Sequence, residues 1–493
     1  MSEMTCLIQA GFGFVDAELR RDVAVLVGGD RIAEVGRFAA LRAVHPDLPV
    51  YGGEQYALLP GFVNSHDHGR AIGTLAGGSQ DDVLEVWLNS LAGQPSLPPR
   101  LSARFEGVNL VRAGVTATAH SHNPRSWQGM FDEMPETLAG YADAGVRVAL
   151  HPPIVDQNLI VYGEGHLFAQ GLPPSLRQQV ERANSEPPLS VEAYFEALSA
   201  LYDRYHDGAG CRVHIQVSPA GGQWCSDSLL RRAHEWARAR DTRVQMHMLE
   251  TRLQRLYAWR TWGTSFIAHL EAIGILDESL TLAHMVWLDE GDIERLRAAG
   301  TGVVHNPSSN LRLRSGIAPA AALIAAGVRV GIGLDGHALD DDQDFGRELR
   351  LAWMLANLDG WSSVSPIRAE ALLHAGTAAG AAVTFGADAP LGRLAVGQFA
   401  DLILVDWAAL RGAWLPDRLP GEALAADLLM QRLCRAHVRD VMVAGEWIVR
   451  DGRHMRIDEA ALYAEVRAAL EPHVPSTEGS LAPFIRAFYK NWV

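Results

Sequence analysis

A chain of 493 residues, 48% hydrophobic and 20% charged, has an ordinary globular composition and enough length for two or more domains. Its formal net charge of −15 argues against nucleic acid as a partner, since phosphate binding needs a basic face. No uninterrupted apolar stretch approaches the ~20 residues of a membrane span, so no membrane partner is expected.

In chain order, the first elements are short and alternating. Val23–Val27 and Arg31–Val35 read as strands joined by a turn at Gly28-Gly29-Asp30, a β-hairpin. A related composition returns late, in Gly397–Val405 and Val438–Val449. The simplest arrangement pairs the two ends of the chain in one small β-sandwich domain, residues 1–56 with 389–455. These enclose a middle domain of residues 57–388, and residues 456–493 form a helical C-terminal tail. The apolar, aromatic segment Phe484–Tyr489 of that tail is suited to packing on the middle domain or on a partner subunit.

The middle domain carries eight strand-like runs: Leu58–Val63, Val115–Ala119, Val146–Leu150, Val213–Val217, Val244–Met246, Leu280–Ala283, Gly302–Val304 and Val328–Leu334. Helical patterns fall between most of them, including Leu229–Arg240, Thr264–Ile273, Ile293–Ala299 and Ala318–Ala326. This alternation predicts an α/β fold, a (β/α)8 TIM-like barrel, with a doubly wound open sheet as the alternative. Long insertions follow the first and third strands, at residues 70–100 and 152–190. In a barrel, such loops lie at the catalytic end and shape the pocket.

Several strands end in titratable groups. The stretch Pro60–His68 closes an apolar run with two histidines one residue apart. In an extended chain residues i and i+2 face the same side, so His66 and His68 aim at a common point. Alone, such a pair is a weak signal. Strand five ends at His247, with Glu250 just beyond; strand six ends at His284 and strand eight at Asp335. Burying such groups costs stability unless they are paired or ligated. A set of histidines with one carboxylate suits Zn²⁺, Fe²⁺ or Mn²⁺.

Taken with Thr301–Asn310, Ser315–Pro319, Gly331–Gly336, Gly376–Ala381 and Gly392–Leu402, these motifs resemble the amidohydrolase superfamily. The nearest branch is the ATZ/TRZ and cytosine/guanine deaminase-like hydrolases. The resemblance implies one divalent metal ion, zinc first with iron or manganese as alternatives, held by His66, His68, His247 and Asp335. Such an ion lowers the pKa of a bound water from ~15.7 towards neutrality. The resemblance further implies that Asp335 accepts that water's proton and that His284 orients the water. Glu250 then carries a proton to a ring nitrogen and to the leaving group, assistance worth roughly 10²–10⁴-fold. The implied activity is hydrolytic deamination of a small aminated N-heterocycle. Amide, urea or carbamate hydrolysis and hydrolytic dechlorination are the alternatives, and a homodimer is the expected assembly.

Lysine usage narrows the site. Lys490 is the only lysine, and arginine cannot lose its proton at working pH. Lysine nucleophiles, pyridoxal-phosphate chemistry and Walker-type phosphate binding are thereby excluded. Binuclear relatives commonly bridge two metals with a carboxylated lysine after strand four; Val213–Pro219 has none, which predicts a mononuclear site. Cys6, Cys211, Cys225 and Cys434 form no Cys-x-x-Cys pair and read as reduced thiols of a cytoplasmic protein.

Other residues are left open. Trp87 and Trp127 are candidate stacking surfaces for a planar ring, or core. His122, in the second pair His120-Ser121-His122, lines the pocket or makes a structural hydrogen bond. His337, or the acidic loop Asp340–Asp344, contacts a polar or cationic substrate, or the loop is simply solvated. His305 and Asn310 read as supporting residues. Asp67, Gly69 and Arg70 depart from the commoner family pattern without an assigned purpose.

Overall fold

The computed structural model describes residues 5–185, 189–358, 366–416, 422–473 and 481–492. In chain order, the N-terminal strands are β1 (Thr5–Val15), β2 (Glu18–Gly28), β3 (Arg31–Gly36) and β4 (Val50–Pro60). The barrel strands are β5 (Phe62–Asn64), β6 (Val115–Ser121), β7 (Arg147–His151), β8 (Val213–Ile215), β9 (Val244–Met248), β10 (Leu280–His284), β11 (Gly302–His305) and β12 (Val330–Ile332). The late strands are β13 (Leu402–Asp406), β14 (Val438–Val443), β15 (Glu446–Arg450) and β16 (Arg453–His454).

All eight middle strands pair in parallel, in the order β9-β10-β11-β12-β5-β6-β7-β8. A parallel bridge between Val217 and Val244 joins the two edges and closes the ring. The open-sheet alternative is thereby excluded. Strands such as β7 and β10 are buried at every residue, which is why they read as continuous apolar runs rather than alternating ones.

The two chain ends share one eight-stranded sheet, β16-β15-β14-β13-β4-β1-β2-β3, antiparallel except for the β1–β4 pair. Its far edge curls back. Ile32 N donates to Gln398 O at 2.9 Å and Ala400 N to Asp30 O at 2.8 Å. Ile8, Val25, Ile32, Leu58, Leu402 and Met442 thus share one core, giving the sandwich-like small domain.

One expected strand divides. The run Leu58–Val63 is two strands in two sheets, since Leu58 and Leu59 pair with β13 whereas Phe62 and Val63 pair with β6. The changeover is at Gly61, whose N donates to Asp401 O at 2.8 Å while Phe62 N donates to Gly114 O at 3.0 Å. A Cβ on Gly61 would stand 2.1 Å from Thr116 Oγ1, so a side chain has no room at the crossing. The boundary expected between residues 56 and 57 therefore falls inside β4. The last barrel strand is also shorter than the run Val328–Leu334, because Leu334 N already turns to Asn64 Oδ1 at 2.9 Å.

A buried ion pair ties the small domain to the barrel. Arg147, the first residue of β7, donates to Asp401 through Nε at 2.7 Å and Nη2 at 3.0 Å. Asp401 Oδ1 also accepts from Ala444 N at 2.8 Å. This fastening lies at the N-terminal end of β7, leaving the C-terminal strand ends to the two insertions and the tail. The tail helix Ala482–Tyr489 packs on both insertions: Arg486 pairs with Asp82, and Tyr162 N donates to Tyr489 OH at 2.7 Å.

Candidate active site

The turn after β5 is locked from within. Asp67 Oδ1 accepts from His68 N at 2.7 Å and Gly69 N at 3.2 Å, while Oδ2 accepts from Asn64 Nδ2 at 2.5 Å. Gly69 sits at φ +60°, and a Cβ there would stand 2.1 Å from His120 Cε1; both facts demand glycine. Asp67 and Gly69 thus hold the turn that presents the two histidines.

Four side chains from three strand ends then converge. Asp335 Oδ1 lies 3.1 Å from His66 Nε2 and 3.2 Å from His68 Nε2, and His68 Nε2 lies 3.1 Å from His247 Nε2. One ligating atom from each of the four lies within 4.8 Å of the others, and this is the one such group among the described residues. Each opposite ring nitrogen faces an oxygen: His66 Nδ1 with Gln245 Oε1 at 2.8 Å, His68 Nδ1 with Ser121 O at 3.0 Å, His247 Nδ1 with Ala220 O at 2.5 Å. Those acceptors place the ring proton on Nδ1 and leave a lone pair on every Nε2.

Such lone pairs 3.1 Å apart repel unless a cation sits between them, and buried His66 Nε2 has no hydrogen-bond partner among the described residues. Metal–nitrogen bonds of ~2.0–2.1 Å put tetrahedral ligands ~3.3 Å apart, close to the observed spacing. Burial lowers the pKa of His68 to about 4 and of His247 well below the usual range, keeping both rings neutral and free to ligate. Burial pushes Asp335 the other way, but the rings of His284 and His66 outweigh it and hold the carboxyl well below the ordinary range. These residues fit a divalent cation.

Glu250 reaches the pocket through backbone strain. Three residues beyond His247, it would face away from the site in an extended strand. Leu249 at φ +49° turns the chain, and His284 at φ +78° and Asp335 at φ +58° are likewise left-handed. Each such non-glycine residue costs of order 1–3 kcal/mol and is held by the surrounding structure. Glu250 Oε2 then lies 3.7 Å from His284 Nε2, which is 3.8 Å from Asp335 Oδ2. Burial, then the charges of Asp335 and Glu85, raises the Glu250 pKa well above the carboxylate range. Its Oε1 has no partner among the described residues. His284 Nδ1 faces Asn310 Oδ1 at 2.9 Å, fixing that ring as Gln245 fixes His66.

A cavity of about 730 Å³ opens over the centre, lined by Arg70, Trp87, His122, Trp127, Glu250 and His337 among others. Both readings of His122 coexist. It lines the cavity, and it bonds to His120 Nε2 at 3.0 Å and Glu133 Oε2 at 2.8 Å. The acidic loop is not among the lining residues. Asp340 and Asp342 pair with Arg347, Asp341 with Arg312, and Asp344 caps the helix Phe345–Ala356. His305 is buried, and neither ring nitrogen has a partner among the described residues. Sequence reasoning missed Gln245, although it shares a strand face with His247 two residues on. It also missed Glu85, whose Oε1 accepts from Thr251 Oγ1 at 2.5 Å beside Glu250. The carbonyls of Ser121 and Ala220 carry no sequence signal.

Such a donor set at the catalytic end of a (β/α)8 barrel defines the class, a divalent-metal hydrolase. Residues 57–448 match the amidohydrolase family, and residues 24–47 match the bacterial imidazolonepropionase-like composite domain. The chain is 32% identical over 454 residues to 8-oxoguanine deaminase of Pseudomonas aeruginosa, covering 90% of this chain and 94% of that one. It is 31% identical over 427 residues to 5-methylthioadenosine/S-adenosylhomocysteine deaminase of Natronomonas pharaonis, covering 86% and 88%. The chain belongs to the amidohydrolase family and is a hydrolase acting on C–N bonds. Among solved structures, a zinc-bound adenosine deaminase of Xanthomonas campestris superposes with TM-score 0.76 at 26% identity, covering 95% of this chain and 98% of that one. A variant of atrazine chlorohydrolase TrzN of Arthrobacter aurescens, complexed with zinc and atraton, superposes with TM-score 0.80 at 22% identity, covering 94% and 100%; it shares the fold. Among the described residues no helix is long and apolar enough to cross a membrane.

Proposed function

We propose that the protein is a mononuclear zinc deaminase of a small, polar, aminated N-heterocycle, with His66, His68, His247 and Asp335 as the metal ligands. When bound, the ion lowers the pKa of a water and makes hydroxide available at working pH. Asp335 turns Oδ1 to the histidines and keeps Oδ2 towards His284, so Oδ2 is the atom that takes the water's proton. His284, its Nδ1–H given to Asn310, presents Nε2 to orient the attacking water. Glu250 donates a proton to the ring nitrogen beside the carbon under attack, making that carbon more electrophilic. One proton of the water then reaches the exocyclic amino group, which leaves as ammonia, the other returns to Glu250, and the ring carbon keeps the oxygen.

The observation that carries this reading is Glu250, a buried carboxyl with raised pKa whose Oε1 has no partner among the described residues. An amino group must take up a proton to leave, which chloride need not, and a buried acid beside the centre serves that step. The relatives named as deaminases of 8-oxoguanine and of adenosine derivatives support the same class of substrate. A panel of aminated purines, pterins, pyrimidines and triazines, read by ammonia release from the metal-loaded protein, tests it. Ammonia with the matching oxo product is expected. Cleavage of amides or ureas, or chloride release, without ammonia from any heterocycle would overturn it. A cytoplasmic setting and a homodimer belong to the same proposal. The four thiols, all unpaired, support the first, and sedimentation of the purified protein tests the second.

A further inference from the structure

We infer that Arg70, Trp87 and His337 form a wall of the pocket that selects substrates carrying an anionic oxygen, a carboxylate or an ionised ring oxygen. This deepens the deaminase reading and rests on it for the ring, but not for the anion.

Arg70 stands out among the arginines near the pocket. Arg125 pairs with Glu133, and Arg312 with Asp81 and Asp341. No carboxylate among the described residues lies within 4.0 Å of the Arg70 guanidinium. Its partners are the face of Trp87, 4.9 Å from its Cζ, and the Asn123 amide, which, turned so that both its ends are satisfied, accepts through its oxygen from Arg70 Nε at 3.2 Å and Nη2 at 3.1 Å and from His68 Nδ1 at 3.1 Å. Guanidinium offers five donors and keeps its charge, so Asn123 leaves most of it unanswered.

The neighbours add to the demand. The Trp87 ring meets His337 edge-on, centroids 4.7 Å apart. Trp87 Nε1 and both ring nitrogens of His337 are buried without a partner among the described residues. Indole and guanidinium are donors only, so what satisfies this wall must accept; the charges of Asp335 and Asp67 act on Arg70 without an ion pair to it, so its guanidinium remains open to a bound anion. All three residues line the one cavity.

The wall is also held in register with the reaction centre. Arg70 follows His68 by two residues through Gly69, and His337 follows Asp335 by two through Gly336, which is left-handed at φ +62°. Trp87 belongs to the short helix Leu84–Trp87, whose Glu85 is bonded to Thr251, the residue after Glu250. A heterocycle seated with its amino-bearing carbon at the centre can therefore be gripped by an oxygen elsewhere on the same molecule. This gives a purpose to the Arg70 that the family pattern left unexplained.

The test is calorimetric binding to the metal-loaded protein with paired ligands: oxo-heterocycles bearing a carboxylate or an ionisable ring oxygen, and their methyl-ester or O-methyl counterparts. Wild type is expected to prefer the anionic member. Arg70→Gln should weaken anionic ligands about 10- to 100-fold, the worth of a charge-assisted hydrogen bond, and leave neutral ones within about two-fold. Metal content and melting temperature check that Arg70→Gln is folded. If it is not, Arg70→Lys takes its place and should keep the anion preference with several-fold weaker binding, because the planar fork is lost. Whether the carboxylate or the ring-oxygen series shows the effect identifies the source. Equal weakening of neutral and anionic ligands, or no change in either, would overturn the wall. Anion binding through Arg70 without ammonia from any substrate would instead sink the deaminase reading and leave the wall standing. Ammonia released equally from neutral and anionic substrates would do the reverse.

Discussion

The two ends of the barrel handle buried charge in opposite ways. At the N-terminal end, Arg147 and Asp401 are almost wholly buried, 0% and 2% exposed, and answer each other with two hydrogen bonds while Ala444 N takes up Asp401 Oδ1. At the C-terminal end, His66 Nε2, Glu250 Oε1, Trp87 Nε1 and both nitrogens of His337 have no partner among the described residues. An unanswered buried polar atom costs roughly 1–3 kcal/mol. The Arg147–Asp401 pair is finished by folding; the open atoms around the pocket are left for a metal ion and a substrate. That difference separates structure from function on a single scaffold, and it can be attacked from either side.

The largest effect belongs to His66. His66→Ala should abolish metal binding and activity together, read as metal content per chain and turnover, with the fold retained by circular dichroism. Glu250→Gln comes next: metal retained, kcat reduced about 10²–10⁴-fold, because only the proton donor is lost. An active Glu250→Gln enzyme would remove Glu250 from the chemistry. At the opposite end, Asp401→Asn breaks a buried pair and should cost about 3–5 kcal/mol in urea unfolding, with kcat/KM and metal affinity unchanged below the transition. Smaller again is Gln245→Leu, which takes the acceptor from His66 Nδ1. Metal affinity measured against a competing chelator should weaken about 10- to 100-fold. If Asp401→Asn reduced metal affinity as much as Gln245→Leu does, the two ends would not be independent.

Much of this was legible from the chain because barrel strands are contiguous apolar runs and their terminal residues sit in the sequence beside them. His66, His68, His247, His284 and Asp335 each mark the end or edge of such a run. The changeover at Gly61 was not legible, since an apolar run looks alike whichever sheet it joins. Nor was the left-handed turn at Leu249 that brings Glu250 round, because leucine gives no sign of positive φ. The acidic loop reads as solvated until Arg312 and Arg347 are placed against it. The wall of Arg70, Trp87 and His337 comes from three separate segments. Arg70 was noticed only as a departure from pattern, and no periodicity could have joined it to His337.

The most direct test of a metal-dependent deaminase is ammonia release by the intact protein on aminated N-heterocycles, measured before chelation, after chelation and after zinc is restored. Ammonia formed with one equivalent of oxo product, lost with the metal and regained with one ion per chain, is the expected result. A fully loaded protein that releases no ammonia from any of them, or one needing two ions per chain for full activity, would contradict it.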